Sequence, residues 1–285
     1  IAFMKEGRLK GIDTPEVILR QFHDILCPPA LQRNQRMDSE TTIIQVKDLV
    51  KQFGHFKAVD QISFEVKRGE IFGFLGANGA GKTTAMRMLC GLSKPTSGKA
   101  VVAGYDVNTQ AEDVKKHIGY MSQKFSLYED LKVRENVRLF AGIYGVPASE
   151  IPMRTDEMLQ RIGLSNERET LVGKLPLGWK QRLAFSVSII HEPALVFLDE
   201  PTGGVDPATR RQFWELIYQA AGRGITIFVT THYMDEAEYC DRISMMVDGK
   251  IKAIDTPERL KQQYQAQNMD EVFQQLARGA IRKAD

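Results

Sequence analysis

Cysteine is scarce in this sequence, which has three cysteines among 285 residues. Cys27, Cys90 and Cys240 are odd in number and widely spaced, so neither a disulfide framework nor a zinc site is indicated. This usage predicts a reducing, cytosolic environment.

Long apolar runs are absent as well. No stretch approaches the ~20 residues that a membrane-spanning helix needs, and no signal peptide is visible. We therefore expect any membrane process to involve this protein through a partner. The net charge of +2 gives no reason to expect binding to nucleic acid or to an anionic membrane surface.

The sequence does contain a complete motif of the form G-x-x-x-x-G-K-T. The apolar run 71–75 before it predicts a buried strand, and residues 84–89 after it predict a helix. A glycine-rich turn with an incidental lysine is the alternative, but this context favours a loop that binds a nucleoside triphosphate. The loop residues are Gly76, Ala77, Asn78, Gly79, Ala80, Gly81, Lys82, Thr83 and Thr84.

Each part of this phosphate loop has a chemical role. Its glycines let the backbone turn tightly, so that the N–H groups can cradle a phosphate. The following helix adds the positive end of its dipole. Lys82 would reach the β- and γ-phosphates, and the Thr83 hydroxyl would bind Mg²⁺.

The beginning of the chain is similar in sequence to a segment near its end, which indicates an internal repeat. Residues 1–16 align without gaps onto residues 243–258, an offset of 242, and nine of these 16 positions are identical. Chance would give about one identity for ordinary composition. Each copy is predicted to form two strands around a tight turn, followed by a helix that Thr caps and Pro begins. Convergence is the alternative, but the identical Ile-Asp-Thr-Pro-Glu strings favour a true repeat.

We therefore predict three parts. Residues 1–22 would be the tail of a preceding, truncated domain of the same kind. Residues 23–42, with Pro28 and Pro29 and no clear periodicity, would be a linker. Residues 43–285 would form one α/β domain, because strand and helix patterns alternate along them.

Within that domain we predict a mainly parallel sheet with helices on its faces, an antiparallel part formed by the first strands, and a helical insertion. The insertion, about 125–190, contains helical patterns and no convincing strand. Predicted strands are 43–50, 61–66, 71–75, 97–103, 118–122, 195–198 and 225–230. Predicted helices are 84–89, 133–144, 154–162, 178–190, 207–221 and 234–239.

Further motifs stand in a fixed order after the phosphate loop. An apolar strand ends at Asp199 and Glu200, 117 residues after Lys82, and Pro201–Asp206 follows. Asp199 can hold the shell of a Mg²⁺ ion, and Glu200 can activate or orient water. With a glutamine after an earlier strand and a histidine after a later one, residues 43–280 resemble the nucleotide-binding domain of ATP-binding cassette (ABC) transporters.

The resemblance implies a role for each motif. Asp199 and Glu200 match Walker B. Gln123 matches the Q-loop residue, which would bind Mg²⁺ or water and signal to a membrane partner. His232 matches the switch histidine that contacts the γ-phosphate. The predicted catalytic residues are therefore Glu200, His232 and Gln123, and the predicted metal ligands are Thr83, Gln123 and Asp199.

Two more motifs concern adenine and a second domain. Phe53 occupies the place of the aromatic residue that stacks on adenine in the family, where Tyr is common, and a phenyl face can stack too. A core phenylalanine is the alternative, and Phe56 is a rival candidate. Gly204 and Asp206 belong to the D-loop, which in the family crosses to the partner domain.

One motif departs from the family pattern. The signature Leu-Ser-Gly-Gly-Gln is replaced here by Leu175, Pro176, Leu177, Gly178 and Trp179, followed by Lys180 and Gln181. Its serine and glycines bind the γ-phosphate held by the opposite domain, whereas Pro176 has neither a hydroxyl nor an N–H. Gly178, Lys180 and the helix N-terminus still offer positive charge. We expect a weak contact in trans; a loop that works through different contacts is the alternative.

The resemblance implies a motor in which two such domains sandwich two ATP molecules with Mg²⁺ and move a membrane permease. Residues 128–137, 178–184 and 269–273 are similar to ATP-binding subunits of bacterial ABC-2 type exporters, including drug-efflux systems. The repeat then predicts the second cassette of a tandem subunit, paired with the first cassette or a second copy. The permease would be a separate chain, with this subunit at the cytoplasmic face of the inner membrane.

Two other functions are less consistent with the sequence. A non-transport ABC ATPase acting on ribosomes or DNA would be expected to carry a basic arm, which is absent, as is any strong positive charge. A GTPase switch would need an Asn-Lys-x-Asp string to read guanine, and the sequence has none.

Overall fold

The computed structural model of the chain describes residues 2–5, 8–12, 41–124 and 126–277. It divides into two compact units, Ile1–Met37 and Asp38–Asp285. In the first unit, strands β1 (Ala2–Lys5) and β2 (Arg8–Ile12) pair as an antiparallel hairpin. The helix predicted after this hairpin and nearly all of the predicted linker 23–42 lie outside the described residues.

The second unit contains ten strands and eight α-helices among the described residues. The strands are β3 (Thr42–Phe53), β4 (Phe56–Lys67), β5 (Ile71–Leu75), β6 (Ser97–Val102), β7 (Tyr105–Asp106), β8 (Ile118–Met121), β9 (Leu195–Asp199), β10 (Thr226–Thr231), β11 (Arg242–Val247) and β12 (Lys250–Asp255). The helices are α1 (Lys82–Leu89), α2 (Ala111–His117), α3 (Val133–Ile143), α4 (Ile151–Arg161), α5 (Leu177–Ser188), α6 (Pro207–Gly222), α7 (Pro257–Gln263) and α8 (Met269–Ala277).

The strands form the two sheets that the sequence predicts. One sheet of six strands has the order β12-β11-β5-β10-β9-β8, and it is parallel except for β12 at its edge. The other, of four strands, is antiparallel with the order β4-β3-β6-β7. The mainly parallel sheet and the antiparallel part are both confirmed.

The parallel sheet is covered on both faces, as its apolar strands require. All five residues of β5 are buried. Ile71 and Leu75 belong to the core that includes the helical insertion, whereas Phe72 and Phe74 belong to the core beneath α1 and the antiparallel sheet. Successive side chains on a strand point to opposite faces, so one strand supplies both cores.

The helical insertion has the predicted content. Helices α3, α4 and α5 follow one another between β8 and β9, and the described residues of this stretch contain a single isolated bridge, between Lys132 and Leu171, and no regular strand. No helix within the described ranges is long and apolar enough to span a membrane.

The sequence does not predict α2, β7 or α8, nor two short 3₁₀ helices, Ser165–Glu167 and Val172–Lys174. Helix α2 has one buried residue, Val114, so it lacks an apolar stripe that periodicity could detect. Strand β7 is only two residues long, and α8 was noted for its sequence but not predicted as a helix. The predicted helix 234–239 is a 3₁₀ helix.

The two copies of the repeat form hairpins with the same register. In the first, Met4 pairs with Leu9 and Lys5 with Arg8; adding 242 to each number gives pairs found between β11 and β12. The second copy continues as predicted, because the Thr256 side chain accepts a hydrogen bond from the Arg259 N–H at the start of α7.

Candidate nucleotide-binding site

The predicted site residues follow adjacent parallel strands. Strand β10 lies between β5 and β9, and β8 flanks β9. Thr230 pairs with Asp199, and Thr231 with Leu75, so the carboxyl ends of these strands are level. Open α/β sheets bind ligands at that edge. The fold therefore brings together the residues predicted as the phosphate loop, Walker B, the Q-loop glutamine and the switch histidine.

Backbone from other strands packs closely on the phosphate loop, which explains two of its glycines. A Cβ at Gly81 would lie 2.2 Å from the carbonyl oxygen of Ala58, and the residue has a φ of +106°. A Cβ at Gly76 would lie 2.3 Å from the carbonyl oxygen of Met246. Helix α1 then begins at Lys82, with its N-terminus at the loop.

The Lys82 ammonium is buried within the loop. Its Nζ donates to the carbonyl oxygens of Gly76 at 2.8 Å and Ala77 at 3.1 Å. It also lies 3.3 Å from Oε1 of Glu200. Burial lowers the pKa of Lys82, and the Glu200 carboxylate opposes that shift. Two loop carbonyls and one carboxylate therefore surround the ammonium group.

The Glu200 carboxylate is where the predicted catalytic residues meet. Gln123 Nε2 donates to Oε2 of Glu200 at 3.0 Å, and His232 Nδ1 lies 3.0 Å from the same oxygen. With Lys82 on the other oxygen, three side chains from three strand ends surround one nearly buried carboxylate. The structure thus groups Glu200, Gln123 and His232 as the sequence predicts.

Asp199 faces the phosphate loop from the end of β9. Its Oδ1 accepts hydrogen bonds from the hydroxyls of Thr83 at 3.1 Å and Thr230 at 2.7 Å. Burial raises the pKa of Asp199, and these two hydrogen bonds oppose the rise. Thr83 and Asp199 are therefore adjacent, as the prediction of shared metal binding requires.

This group of ligands fits Mg²⁺ in its chemistry. Hydroxyl, carboxylate and amide oxygens are hard ligands of the kind that Mg²⁺ prefers. The amide nitrogen of Gln123 donates to Glu200, so the amide oxygen of Gln123 is not used in that contact and can serve as a metal ligand. Among the residues that the structure describes, no cluster of three or more His, Cys, Asp or Glu side chains has metal-binding geometry.

The main chain of Glu200 is also held tightly. Its φ is +46°, a left-handed conformation that is uncommon outside glycine. Its N–H donates to the carbonyl oxygen of Thr230 at 3.1 Å and to the Thr230 hydroxyl at 3.0 Å. Its carbonyl accepts from the N–H of Gly203 at 3.1 Å. Sequence reasoning missed Thr230, which is one of three threonines in β10 and is not distinguished from the others by any local pattern.

Phe53 lies at the end of the β3–β4 hairpin, paired with Phe56. Both rings are exposed, at 56% and 52%, so the core alternative for Phe53 is wrong. The Lys51 ammonium lies 5.2 Å from the centroid of the Phe53 ring. Ala58 of the same hairpin contacts the phosphate loop, so this end of the hairpin is close to it. Phe56 remains a rival.

The signature segment, residues 175–181, contacts Glu129 and the D-loop residue Gly203. Leu175 is buried, Pro176 stands at the N-cap of α5, and Leu177 is 47% exposed. Lys180 Nζ lies 2.6 Å from Oε1 of Glu129, so the positive charge expected there is already paired. Gln181 Nε2 donates to the carbonyl oxygen of Gly203 at 3.1 Å.

The D-loop lies against this signature segment. A Cβ at Gly178 would come within 2.4 Å of the Thr209 methyl group, and one at Gly204 within 3.8 Å of Leu177. Asp206 caps α6 by accepting from the N–H groups of Ala208 and Thr209, each at 3.0 Å. The Thr209 hydroxyl donates to the other carboxylate oxygen of Asp206 at 2.6 Å, and these hydrogen bonds lower the pKa of Asp206.

Comparisons with known proteins agree with this geometry. Residues 59–203 match the family model described as "ABC transporter". The chain is 51% identical over 222 residues, 78% of its length, to the probable multidrug ABC transporter ATP-binding protein YbhF of Escherichia coli K12. It is 41% identical over 213 residues to the bacitracin transport ATP-binding protein BcrA of Bacillus licheniformis, covering 74% of this chain and 69% of BcrA.

Solved structures agree as well. An ATP-binding subunit of an ABC transporter superposes with a TM-score of 0.75 at 28% identity, covering 83% of this chain and all of the other. A dimeric cassette in a post-hydrolysis state, bound to ADP and Pi, superposes with a TM-score of 0.67 at 25% identity, covering 75% and 98%. The match to YbhF spans 38% of that protein's length. The chain belongs to the ABC transporter family, as an ATP-binding cassette with the fold of a P-loop ATPase.

Proposed function

We propose that this cassette hydrolyses MgATP at the edge formed by β5, β8, β9 and β10 and thereby drives export through a separate membrane permease. The observation that carries the proposal is the convergence of Lys82, Gln123 and His232 on Glu200. Family membership and the transport names of the relatives support ATP as the nucleotide and export as the use.

Phosphoryl transfer needs positioning and charge neutralisation more than covalent chemistry by the protein. Lys82 would move from its carbonyl partners to the β- and γ-phosphate oxygens. Glu200 would orient or activate the attacking water, and His232 would contact the γ-phosphate. Thr83, Asp199 and Gln123 would hold Mg²⁺, which supplies positive charge to the phosphates.

The adenine end and the second cassette complete the site. Phe53, exposed at the hairpin end beside the phosphate loop, would stack on adenine. Gly178, Lys180, Gln181 and the D-loop would face the nucleotide of the opposite cassette. Because Pro176 has no hydroxyl or N–H to offer and Lys180 is paired with Glu129, this contact in trans would be weak.

We propose that the permease binds in a groove between α1, α2 and the end of α3. It has a volume of ≈ 770 Å³, an apolar floor that includes Leu92, Ile143 and Tyr144, and a rim with Lys115 and Lys116. Tyr120 of β8 also lines it, three residues before Gln123. We assign this groove to a cytoplasmic segment of the permease. Displacement of β8 by that segment would move Gln123 and change its hydrogen bond to Glu200. The subunit would then sit peripherally at the cytoplasmic face of the bacterial inner membrane.

The repeat supports a tandem arrangement of two cassettes. The β1–β2 hairpin has the pairing register of the β11–β12 hairpin, which lies at the edge of the six-stranded sheet, and residues 1–16 and 243–258 are identical at nine of 16 positions. We propose that residues 1–22 end a first cassette, 23–42 link it to the second, and 43–285 are the second. Reading the gene upstream of Ile1 tests this directly. A phosphate-loop motif 242 residues before Gly76 is expected, and its absence would contradict the tandem arrangement.

The function itself is tested by reconstitution. The full chain is purified with the permease encoded beside it, and hydrolysis of ATP and GTP is measured in membranes with and without that permease. We expect ATP to be preferred, the two proteins to co-purify, and the permease to change the ATPase rate. Hydrolysis that responds instead to ribosomes or DNA would assign the other type of ABC ATPase.

A further inference from the structure

We propose that Thr230 is a positioning residue for ATP hydrolysis, because one hydroxyl group holds both acidic residues of Walker B in place. This inference rests on the proposed function, in which Asp199 serves the metal and Glu200 serves water. A residue of β10 would then orient both carboxylates, although Asp199 belongs to β9 and Glu200 to the turn after it.

Thr230 lies where three strands of the site meet. It is on β10, between the strand of the phosphate loop and the Walker B strand, and it pairs with Phe74 on one side and Asp199 on the other. The residue is fully buried, at 0% exposure. A buried hydroxyl has to find its partners within the protein, so its bonds define its role.

Those bonds all go to the two Walker B residues. The hydroxyl donates to Oδ1 of Asp199 at 2.7 Å and accepts from the N–H of Glu200 at 3.0 Å. The carbonyl oxygen of Thr230 accepts from the same N–H at 3.1 Å. A hydroxyl has one proton to donate and lone pairs to accept with. Thr230 therefore uses both capacities on successive residues of β9 and the turn after it.

The Glu200 bond matters because that residue has an unfavourable backbone conformation. A left-handed φ persists at a non-glycine residue only when surrounding contacts hold it. The direction of the Glu200 side chain follows from its main chain, and that side chain contacts Lys82, Gln123 and His232. Loosening the Glu200 N–H would therefore disturb the whole cluster.

The Asp199 bond fixes the other carboxylate. Thr230 of β10 and Thr83 of α1 donate to the same oxygen, Oδ1 of Asp199. If Thr83 turns its hydroxyl toward a metal ion, Thr230 remains as the fixed donor. The orientation of the Asp199 carboxylate would then depend on Thr230.

The same strand supplies a matched control. Thr226 is four residues earlier on β10, about 13 Å away, on the same face and equally buried, at 1% exposure. Its hydroxyl accepts from the N–H of Gly69 at 3.0 Å, a contact at the other end of the strand from the site. Thr→Val at either position removes one buried hydroxyl and keeps the shape of the side chain.

The experiment compares T230V, T226V and T230S in the full chain. We measure kcat and KM for ATP, the affinity for ATP with and without Mg²⁺, and thermal unfolding. T230V is expected to lower kcat about 10- to 100-fold, the effect of losing a hydrogen bond to a charged group, and to weaken the gain in ATP affinity that Mg²⁺ brings. The affinity for ATP without Mg²⁺ should stay within about twofold, because the phosphate loop is untouched.

The controls separate positioning from stability. T226V is expected to lose stability comparably and to keep its kcat, and T230S, which retains the hydroxyl, to keep most of the wild-type rate. The inference is overturned if T230V turns over ATP like T226V, or if T230S is as slow as T230V. If T230V does not fold, T230A and T226A are compared by the same criteria. A wild-type chain without ATPase activity, alone or with its permease, would instead refute the proposed function.

Discussion

Single residues at the site are fixed by contacts with residues remote in the chain. Glu200 receives its side-chain contacts from Gln123, 77 residues earlier, and His232, 32 residues later. In the same way, Gly81 meets the carbonyl oxygen of Ala58 from another sheet. Glycine is required at position 81 because the backbone of Ala58 leaves no room for a side chain there.

The first prediction concerns the glycines of the phosphate loop. Gly81→Ala would place a Cβ 2.2 Å from the Ala58 carbonyl oxygen at a φ of +106°. We expect this variant to lose several kcal/mol of stability, on the order of 3 or more, because the backbone clash adds to the left-handed strain. Urea denaturation measures the loss, and a nucleotide-binding assay should show no ATP binding.

Gly79→Ala is the matched control. Gly79 also has a positive φ, +79°, but a Cβ there meets no atom within 4 Å. Only the left-handed penalty applies, about 1–2 kcal/mol. Equal destabilisation of the two variants would show that packing of the β3–β4 hairpin on the loop is not what requires Gly81.

Helix α5 determines what the signature segment offers to the opposite cassette. Pro176 stands at its N-cap and gives no side-chain hydrogen bond there. The double variant P176S/L177G restores the hydroxyl and the small residue of the family pattern. We expect tighter ATP-dependent pairing and faster turnover, by about 10- to 100-fold for one added charge-assisted hydrogen bond. Sedimentation with ATP and a hydrolysis assay measure these; no rise in a folded variant would contradict the weak-signature proposal.

The segment after α5 contains a half-buried histidine, His191, whose protonation makes the stability depend on pH. The His191 ring stacks on Tyr144 at 4.1 Å between centroids, and its Nε2 lies 3.2 Å from the carbonyl oxygen of Ile118. Burial lowers the pKa of His191 from 6.5 to about 4. The unfolded chain therefore takes up this proton first as the pH falls, so the free energy of unfolding decreases between pH 6.5 and 4.

His191→Phe keeps the stacking and removes the titration. We expect the variant to lose less stability than the wild type between pH 7 and pH 4, by about 2 kcal/mol once solvent screening is allowed for. Urea denaturation at several pH values measures the difference. Parallel pH profiles for the two proteins would show that His191 is not protonated differently in the folded and unfolded states.

Elements with a strong local pattern could be predicted from the sequence, and weakly patterned ones could not. Strand β5 and the phosphate loop are contiguous, and β9 is five buried apolar and acidic residues in a row. Helix α2 buries only Val114, so it shows no stripe. The contacts of Thr230 depend on strand order, which juxtaposes residues 31 positions apart, and no local pattern encodes that distance.

At the scale of the whole molecule, the groove beside α3 should decide coupling to the permease. Ile143 lines it and is 67% exposed. Ile143→Asp is expected to reduce permease co-purification and permease-dependent ATPase activity about tenfold, the effect of losing roughly 1.4 kcal/mol of binding, and to leave basal hydrolysis unchanged. Met153→Asp is the control, since Met153 is 56% exposed on α4 outside the groove. Equal effects of the two variants would place the permease elsewhere.

Glu200, in contact with Lys82, Gln123 and His232, is the residue on which we propose that ATP hydrolysis by this cassette depends. The most direct test is the rate of ATP hydrolysis by Glu200→Gln, measured in the full chain and its permease complex beside Glu192→Gln, whose side chain is 72% exposed. We predict a fall of about 100-fold or more for Glu200→Gln, with ATP binding retained and Glu192→Gln unchanged. A folded, ATP-binding Glu200→Gln variant that hydrolyses ATP at the wild-type rate would contradict the account.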